Sequence, residues 1–86
     1  MVCRIATYDA KVNTDTEEMR AFREWMGAQE GFKAAYHVVD PRTGMALLIS
    51  FWDNAEHLSA MSDRTVPGGS TDLKPESVDV FDVIHE

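Results

Sequence analysis

Two apolar runs with a turn between them occupy the middle of the chain: "GFKAAYHVVDPRTGMALLISFW", residues 31 to 52. Phe32–Val39 and Met45–Trp52 read as strands rich in β-formers. The "DPRTG" segment between them carries turn chemistry, with φ fixed at Pro41 and positive φ permitted at Gly44. A β-hairpin follows. Upstream, Val2–Tyr8 is a short β-rich run without helical period. The segment "VNTDTEEMRAFREWMGAQEG" then predicts a helix. Thr14 or Asp15 can cap it, Glu17 and Glu18 suit its positive end, and Met19, Phe22 and Met26 fall on one face that Trp25 widens. Gly31 is the expected stop. After the hairpin, Asp53 with Glu56 reads as a capping box for a second helix, faced by Leu58 and Met61 and ending near Asp63. "TVPGGSTDLKPES" predicts a long loop over about 64–76, and Ser77–Ile84 a final strand.

The order β-α-β-β-α-β predicts an α+β, ferredoxin-like fold: a four-stranded antiparallel sheet with two helices on one face, in a single domain spanning residues 1–86. In the simplest hairpin register, one face carries Phe32, Ala34, Tyr36, Val38, Ala46, Leu48, Ser50 and Trp52. The other carries Lys33, Ala35, His37, Val39, Met45, Leu47, Ile49 and Phe51. Both are mostly apolar, whereas an open antiparallel sheet normally alternates polar residues onto its wet face. Two helices cover one face only. Val39, Met45, Leu47, Ile49 and Phe51 would each forfeit roughly 1.5–3 kcal/mol in water. A second copy of the chain supplies a self-complementary cover, so a homodimer packed through these sheet faces is expected, curling into a barrel.

Size and charge narrow the partners. A chain of 86 residues buries roughly 64% of its unfolded surface, which makes a partner chain useful. The net charge of −7, with 8 scattered basic residues, argues against nucleic acid and anionic membranes. Cys3 is the only cysteine and reads as a small buried strand residue. No apolar run reaches the ~18 residues of a membrane span, and the N-terminus lacks a signal-peptide core. These features predict a cytoplasmic protein.

The candidate chemistry is sparse. Trp52 either walls a cavity and stacks on a flat ligand or anchors the core at the end of its strand. Tyr8, Tyr36 and Ser50 share its face by strand parity and could orient a hydroxylated ligand; Leu48 and Phe22 complete the lining. Arg4 shares parity with Tyr8 and serves either an anionic substrate or the solubility of an edge strand. His57 lies four residues after Asp53, on the same helix face, as a general base or as a helix residue helped by that carboxylate. His37 is expected at the sheet–sheet interface and His85 in solvent. The three histidines have no metal-ligand spacing, so no metal is expected. If Phe22, Met26, Leu48 and Met61 fill the volume against Trp52, the enzymatic reading loses its site.

Residues 31–61, "GFKAAYHVVDPRTGMALLISFWDNAEHLSAM", resemble the antibiotic biosynthesis monooxygenase (ABM) domain of the dimeric α+β barrel superfamily. The matching features are Gly31-Phe32, a small residue at Ala34, the aromatic Tyr36, the "DPRTG" turn, the apolar strand, and Trp52 before an acidic-capped helix. The resemblance implies a dimeric α+β barrel with a cavity in each subunit between the sheet and its own helices. It implies, for some members, oxidation of polycyclic aromatic substrates by dioxygen without metal or flavin, and for others haem binding and degradation. Leu48 stands where the quinone-forming oxygenases carry Asn. Ala6 and Thr7 stand where the haem degraders carry a strand-one Asn, Met61 stands where they carry Trp, and no His occurs between His57 and His85. Three functions follow from the resemblance. The first is a cofactor-independent monooxygenase, in which His57, Tyr36 and Ser50 act on a flat aromatic or polyketide-like ligand held by Trp52, Tyr8, Arg4, Leu48 and Phe22. The second is a small-ligand-binding or sensing dimer without turnover, and the third a haem-binding protein.

Overall fold

The computed structural model describes residues 1–62 and 75–85; the expected 64–76 loop, except for Pro75 and Glu76, lies outside them. The elements are β1 (Val2–Tyr8), α1 (Glu17–Gly27), β2 (Phe32–Val39), β3 (Ala46–Trp52), α2 (Ala55–Ser62) and β4 (Ser77–Asp82). The strands form one antiparallel sheet in the order β2-β3-β1-β4. This is the ferredoxin-like α+β arrangement predicted from the sequence.

The helix caps differ from the expected ones for local reasons. Thr16, not Thr14 or Asp15, caps α1: its hydroxyl accepts from the backbone N–H of Met19 at 3.1 Å. Thr14 is engaged elsewhere, with His37. At α2 the cap is Asn54, whose Oδ1 accepts from the N–H of His57 at 2.9 Å. That leaves the Asp53 carboxylate free for a side-chain partner. Gly31 comes after the end of α1 and adopts φ +86°, and Gly44 closes the hairpin turn at φ +80°. The Gly44 N–H donates to the Asp40 carbonyl at 2.8 Å.

The core lies between the sheet and the helices. Val2, Ala6 and Tyr8 of β1 and Ala46, Leu48 and Trp52 of β3 are buried against Met19 and Met26 of α1 and Leu58 and Met61 of α2. Residues directly opposite in a sheet share a face, so the register defines the rows on this helix side. They run Phe32–Trp52–Val2–Asp82, Ala35–Ser50–Arg4–Val80, His37–Leu48–Ala6–Val78 and Val39–Ala46–Tyr8.

One irregularity reverses half of the expected hairpin. Phe32 pairs with Trp52 as predicted, but Ala34 pairs with Phe51, so Lys33 is an extra residue in a bulge. From there to the turn, every β2 residue is offset by one, and a one-residue offset exchanges the two faces. His37 and Val39, expected on the outer face, lie on the helix side. Tyr36 and Val38, expected beside Trp52, lie on the outer face with Leu47, Ile49 and Phe51. The ring of Tyr36 packs edge-on against Phe51 at 6.4 Å.

Candidate functional site

Trp52 lies at the end of β3 and is fully buried, and its surroundings are filled. Leu48 and Met26 are also fully buried, Met61 nearly so, and Phe22 packs against the same cluster. Phe32 meets the indole edge-on at 5.5 Å. The Trp52 Nε1–H donates to Ser50 Oγ at 3.0 Å, with both groups buried. Each polar atom therefore satisfies the other. The expected roles of Trp52 in stacking on a ligand, and of Ser50 in orienting one, are replaced by a closed hydrogen bond inside the core. Leu48 and Phe22 are packing residues of the same core. Tyr36, on the other face and 59% exposed, does not join them.

The two internal histidines are held in opposite ways. Between α1 and β2, Arg23 Nη1 donates to His37 Nδ1 at 2.8 Å, and His37 Nε2 lies 2.7 Å from the hydroxyl of buried Thr14. An arginine only donates, so Nδ1 accepts and the ring proton sits on Nε2, directed at Thr14. Burial and the Arg23 charge depress the His37 pKa, and Asp15 only partly opposes them. The ring is a neutral tie between helix and strand. No residue spacing signals this tie, because the bulge at Lys33 is what brings His37 to this side.

At the other end of the sheet, His57 Nδ1 lies 2.6 Å from Asp53 Oδ1, and Nε2 lies 3.5 Å from Glu30. The hydrogen bond to Asp53 raises the His57 pKa and lowers that of the carboxylate. Asp53 N–H also donates to the Gly31 carbonyl at 2.8 Å. A Cβ on Gly31 would collide with Asp53 Oδ1 and with the His57 ring and Cβ. Here the pairing read from the i, i+4 spacing is present, and it latches α2 to the residues before β2. The latch stands at the Glu30–Gly31 corner, while Arg4 and Tyr8 lie in rows on β1.

Arg4 is the unusual group on the helix side. It sits in the row Ser50–Arg4–Val80. Its Nη1 is buried with no hydrogen-bond partner among the described residues. Burial lowers its pKa, and among the described residues the ionisable group acting on it is Tyr8. Tyr8 is 3% exposed; burial raises its phenol pKa and the Arg4 charge opposes that rise. Leaving a buried donor unpaired costs about 1–3 kcal/mol, more for a charged group. Ala6 lies between the two residues along the strand, and beside them Val78 and Val80 of β4 are 46% and 54% exposed although they face the helix side. Among the described residues, an apolar strip that is about half exposed therefore adjoins a half-buried cation, whose Nη1 is buried, and a buried phenol.

By sequence the chain matches no family model and no curated protein. Its likeness to known proteins is one of shape. A solved protein of Deinococcus radiodurans, named as a candidate antibiotic biosynthesis monooxygenase, superposes with a TM-score of 0.71 over 100% of this chain and 95% of that one, at 13% identity. A protein called YjcS superposes with a TM-score of 0.65 over 95% of this chain and 97% of its own, at 19% identity. The chain shares the fold of these two proteins. The resemblance seen in residues 31–61 is thus matched by the architecture of the whole chain, while the chemistry of those neighbours does not transfer at such identities.

The opposite face of the sheet presents Ile5, Tyr36, Val38, Leu47, Ile49, Phe51 and Phe81, with Tyr36 and Phe81 more than half exposed. A hollow of about 340 Å³ opens here between Thr7, Val38, Met45 and Leu47, rimmed by Val39, Asp40 and Thr43. Its one carboxylate, Asp40, is tied to the backbone and side chain of Arg42. Among the described residues no helix is long and apolar enough to cross a membrane, and no cluster of potential metal ligands occurs.

Proposed function

We propose that this protein is a homodimeric small-ligand-binding protein of the ABM-type fold. The ligand lies on the helix side of β1 and β4, against Arg4, Tyr8, Val78 and Val80, and not against Trp52. The observation that carries this reading is the contrast between two regions of one face. At Trp52 the indole N–H is paired with Ser50 and the packing is closed. At Arg4 a buried donor is unpaired among the described residues and the neighbouring strand is half open. Ligand sites combine apolar lining with a few convergent polar groups, and the second region has both.

The dimer follows from the outer face. Leu47, Ile49 and Phe51, joined by Tyr36 and Val38 through the bulge, give an apolar surface that none of the described elements covers. A second copy covers it by symmetry.

The reaction to be looked for is metal-free oxygenation, in keeping with the name of the Deinococcus neighbour. An electron-rich ligand with an activated methylene would be deprotonated and react with dioxygen directly. One oxygen atom ends in the product carbonyl, and the other leaves as water with the two hydrogens. The protein's contribution would be orientation and a site shielded from water. Tyr8 and Arg4 would hold the ligand oxygen. His57, set in its latch with Asp53 and Glu30, would not touch it. Haem is disfavoured because both ring nitrogens of His37 and of His57 are engaged.

Calorimetry with hydroxy-anthrones and naphthalene derivatives, run beside oxygen-electrode recordings, tests the reading. Saturable binding that the bulky substitution Val80→Trp abolishes supports the site. Oxygen uptake in addition makes the protein a monooxygenase, and binding without uptake makes it a ligand-binding module. Absence of binding by all of these compounds overturns the site.

A further inference from the structure

We propose that Arg4 is an anion-binding residue, and that the ligand of this strip is an organic acid: a flat apolar body carrying a carboxylate or a phenolate. The inference rests on the reading that a small ligand binds here and adds the charge that ligand must carry.

A guanidinium does not discharge within a protein, so Arg4, half-buried, stays cationic, and its buried Nη1 is short of an acceptor among the described residues. The chain has 15 acidic residues and a net charge of −7. Yet among the described residues none forms an ion pair with Arg4, although Asp82 lies on the same face one row away on β4. Ser50 Oγ, opposite Arg4 on β3, accepts from the Trp52 indole and makes no hydrogen bond to Arg4 Nη1. Tyr8 supplies a hydroxyl and no fixed charge at neutral pH, because burial holds its phenol above the ordinary range. The neighbours along the rows are Ala6, Val78 and Val80, which suit an apolar ring system. A carboxylate or phenolate brought in by such a ring would supply the acceptor that Nη1 lacks. In a site of low polarity this charge-assisted hydrogen bond is stronger than in water.

The test compares 2-naphthoate with 2-naphthamide, which differ in charge and hardly in shape, by calorimetry at pH 7.5. Wild type, Arg4→Met and Arg4→Lys are used as full-length chains. Wild type should bind the carboxylate at least tenfold more tightly than the amide. Arg4→Met should erase that preference while melting at or above the wild-type temperature, since it removes an unpaired buried charge. Arg4→Lys keeps the charge without the planar fork and should lose part of the preference. If Arg4→Met fails to fold, Arg4→Gln, which also removes the charge, decides, and an unchanged preference there overturns the proposal. Equal binding of the two compounds by wild type overturns the anion assignment and leaves the ligand strip standing. Binding of neither removes the strip and the proposal together. Full naphthoate affinity in Arg4→Met places the cation elsewhere and overturns the proposal.

Discussion

Arg23 Nη1 donates to His37 Nδ1 at 2.8 Å, and this one contact fixes the tautomer and the charge of the ring. It sets His37 against His57, whose Nδ1 faces a carboxylate instead. The two should titrate on opposite sides of the ordinary imidazole value of about 6.5. The His37 pKa is depressed in the folded state, so its stabilising contribution is present above about pH 6.5 and is lost as pH falls through its folded value. The His57 pKa is raised, so its contribution is present below about pH 6.5 and is lost as pH rises through its folded value. Proton NMR titration of wild type, His37→Gln and His57→Gln should show the two curves separated in that order. Arg23→Gln should move the His37 curve upward, and a curve that stays in place would show that the contact is absent.

Gly31→Ala should be destabilising by about 1–3 kcal/mol from its positive φ alone, and by more once the added Cβ displaces the Asp53–His57 pair. Urea unfolding measures the loss. The same variant should return the His57 pKa toward its ordinary value. A variant as stable as wild type with the His57 titration unchanged would refute the close approach.

Ser50→Ala removes the acceptor of a buried indole N–H and should cost about 1–3 kcal/mol. Trp52→Ala should cost about 3–5 kcal/mol and expose the Met26 and Leu48 side chains. Both losses should appear without any ligand. If Ser50→Ala left the melting temperature unchanged and weakened naphthoate binding instead, Trp52 and Ser50 would belong to the ligand site after all.

The bulge makes the proposed dimer face testable to a single residue. Val38 lies on the outer face and its neighbour Val39 on the helix side, where it is 55% exposed. Val38→Glu should convert the dimer to monomer in sedimentation at micromolar concentration, while Val39→Glu should leave it assembled. A wild-type chain that sediments as a stable monomer would remove the dimer.

The Asp53–His57 pair was legible in the sequence because four residues on one helix is a fixed spatial relation. The Arg4–Tyr8 parity was legible because β1 runs straight, with a side-chain period of two. The hairpin and the second sheet-covering element were legible too, from apolar runs, turn residues and caps that each act over a few positions. The caps themselves were assigned one or two residues away, since neighbouring Thr, Asp and Asn side chains compete for the same backbone donors. Thr14 and Asp53 lost that competition to partners distant in sequence, or on the next turn, that a local reading does not weigh.

The sequence by itself determined the element order, the ferredoxin-like architecture and the excess of apolar sheet, because these follow from local periodicity and from the amount of surface two helices can cover. The tertiary structure alone decided which face each β2 residue joins and which polar groups find partners. A single extra residue at Lys33 turned Tyr36 outward and His37 inward, a shift that leaves the hydrophobic pattern of the strand almost unchanged. Whether Arg4 is satisfied depends on atoms brought together by neighbouring strands, and no spacing along one chain segment encodes that.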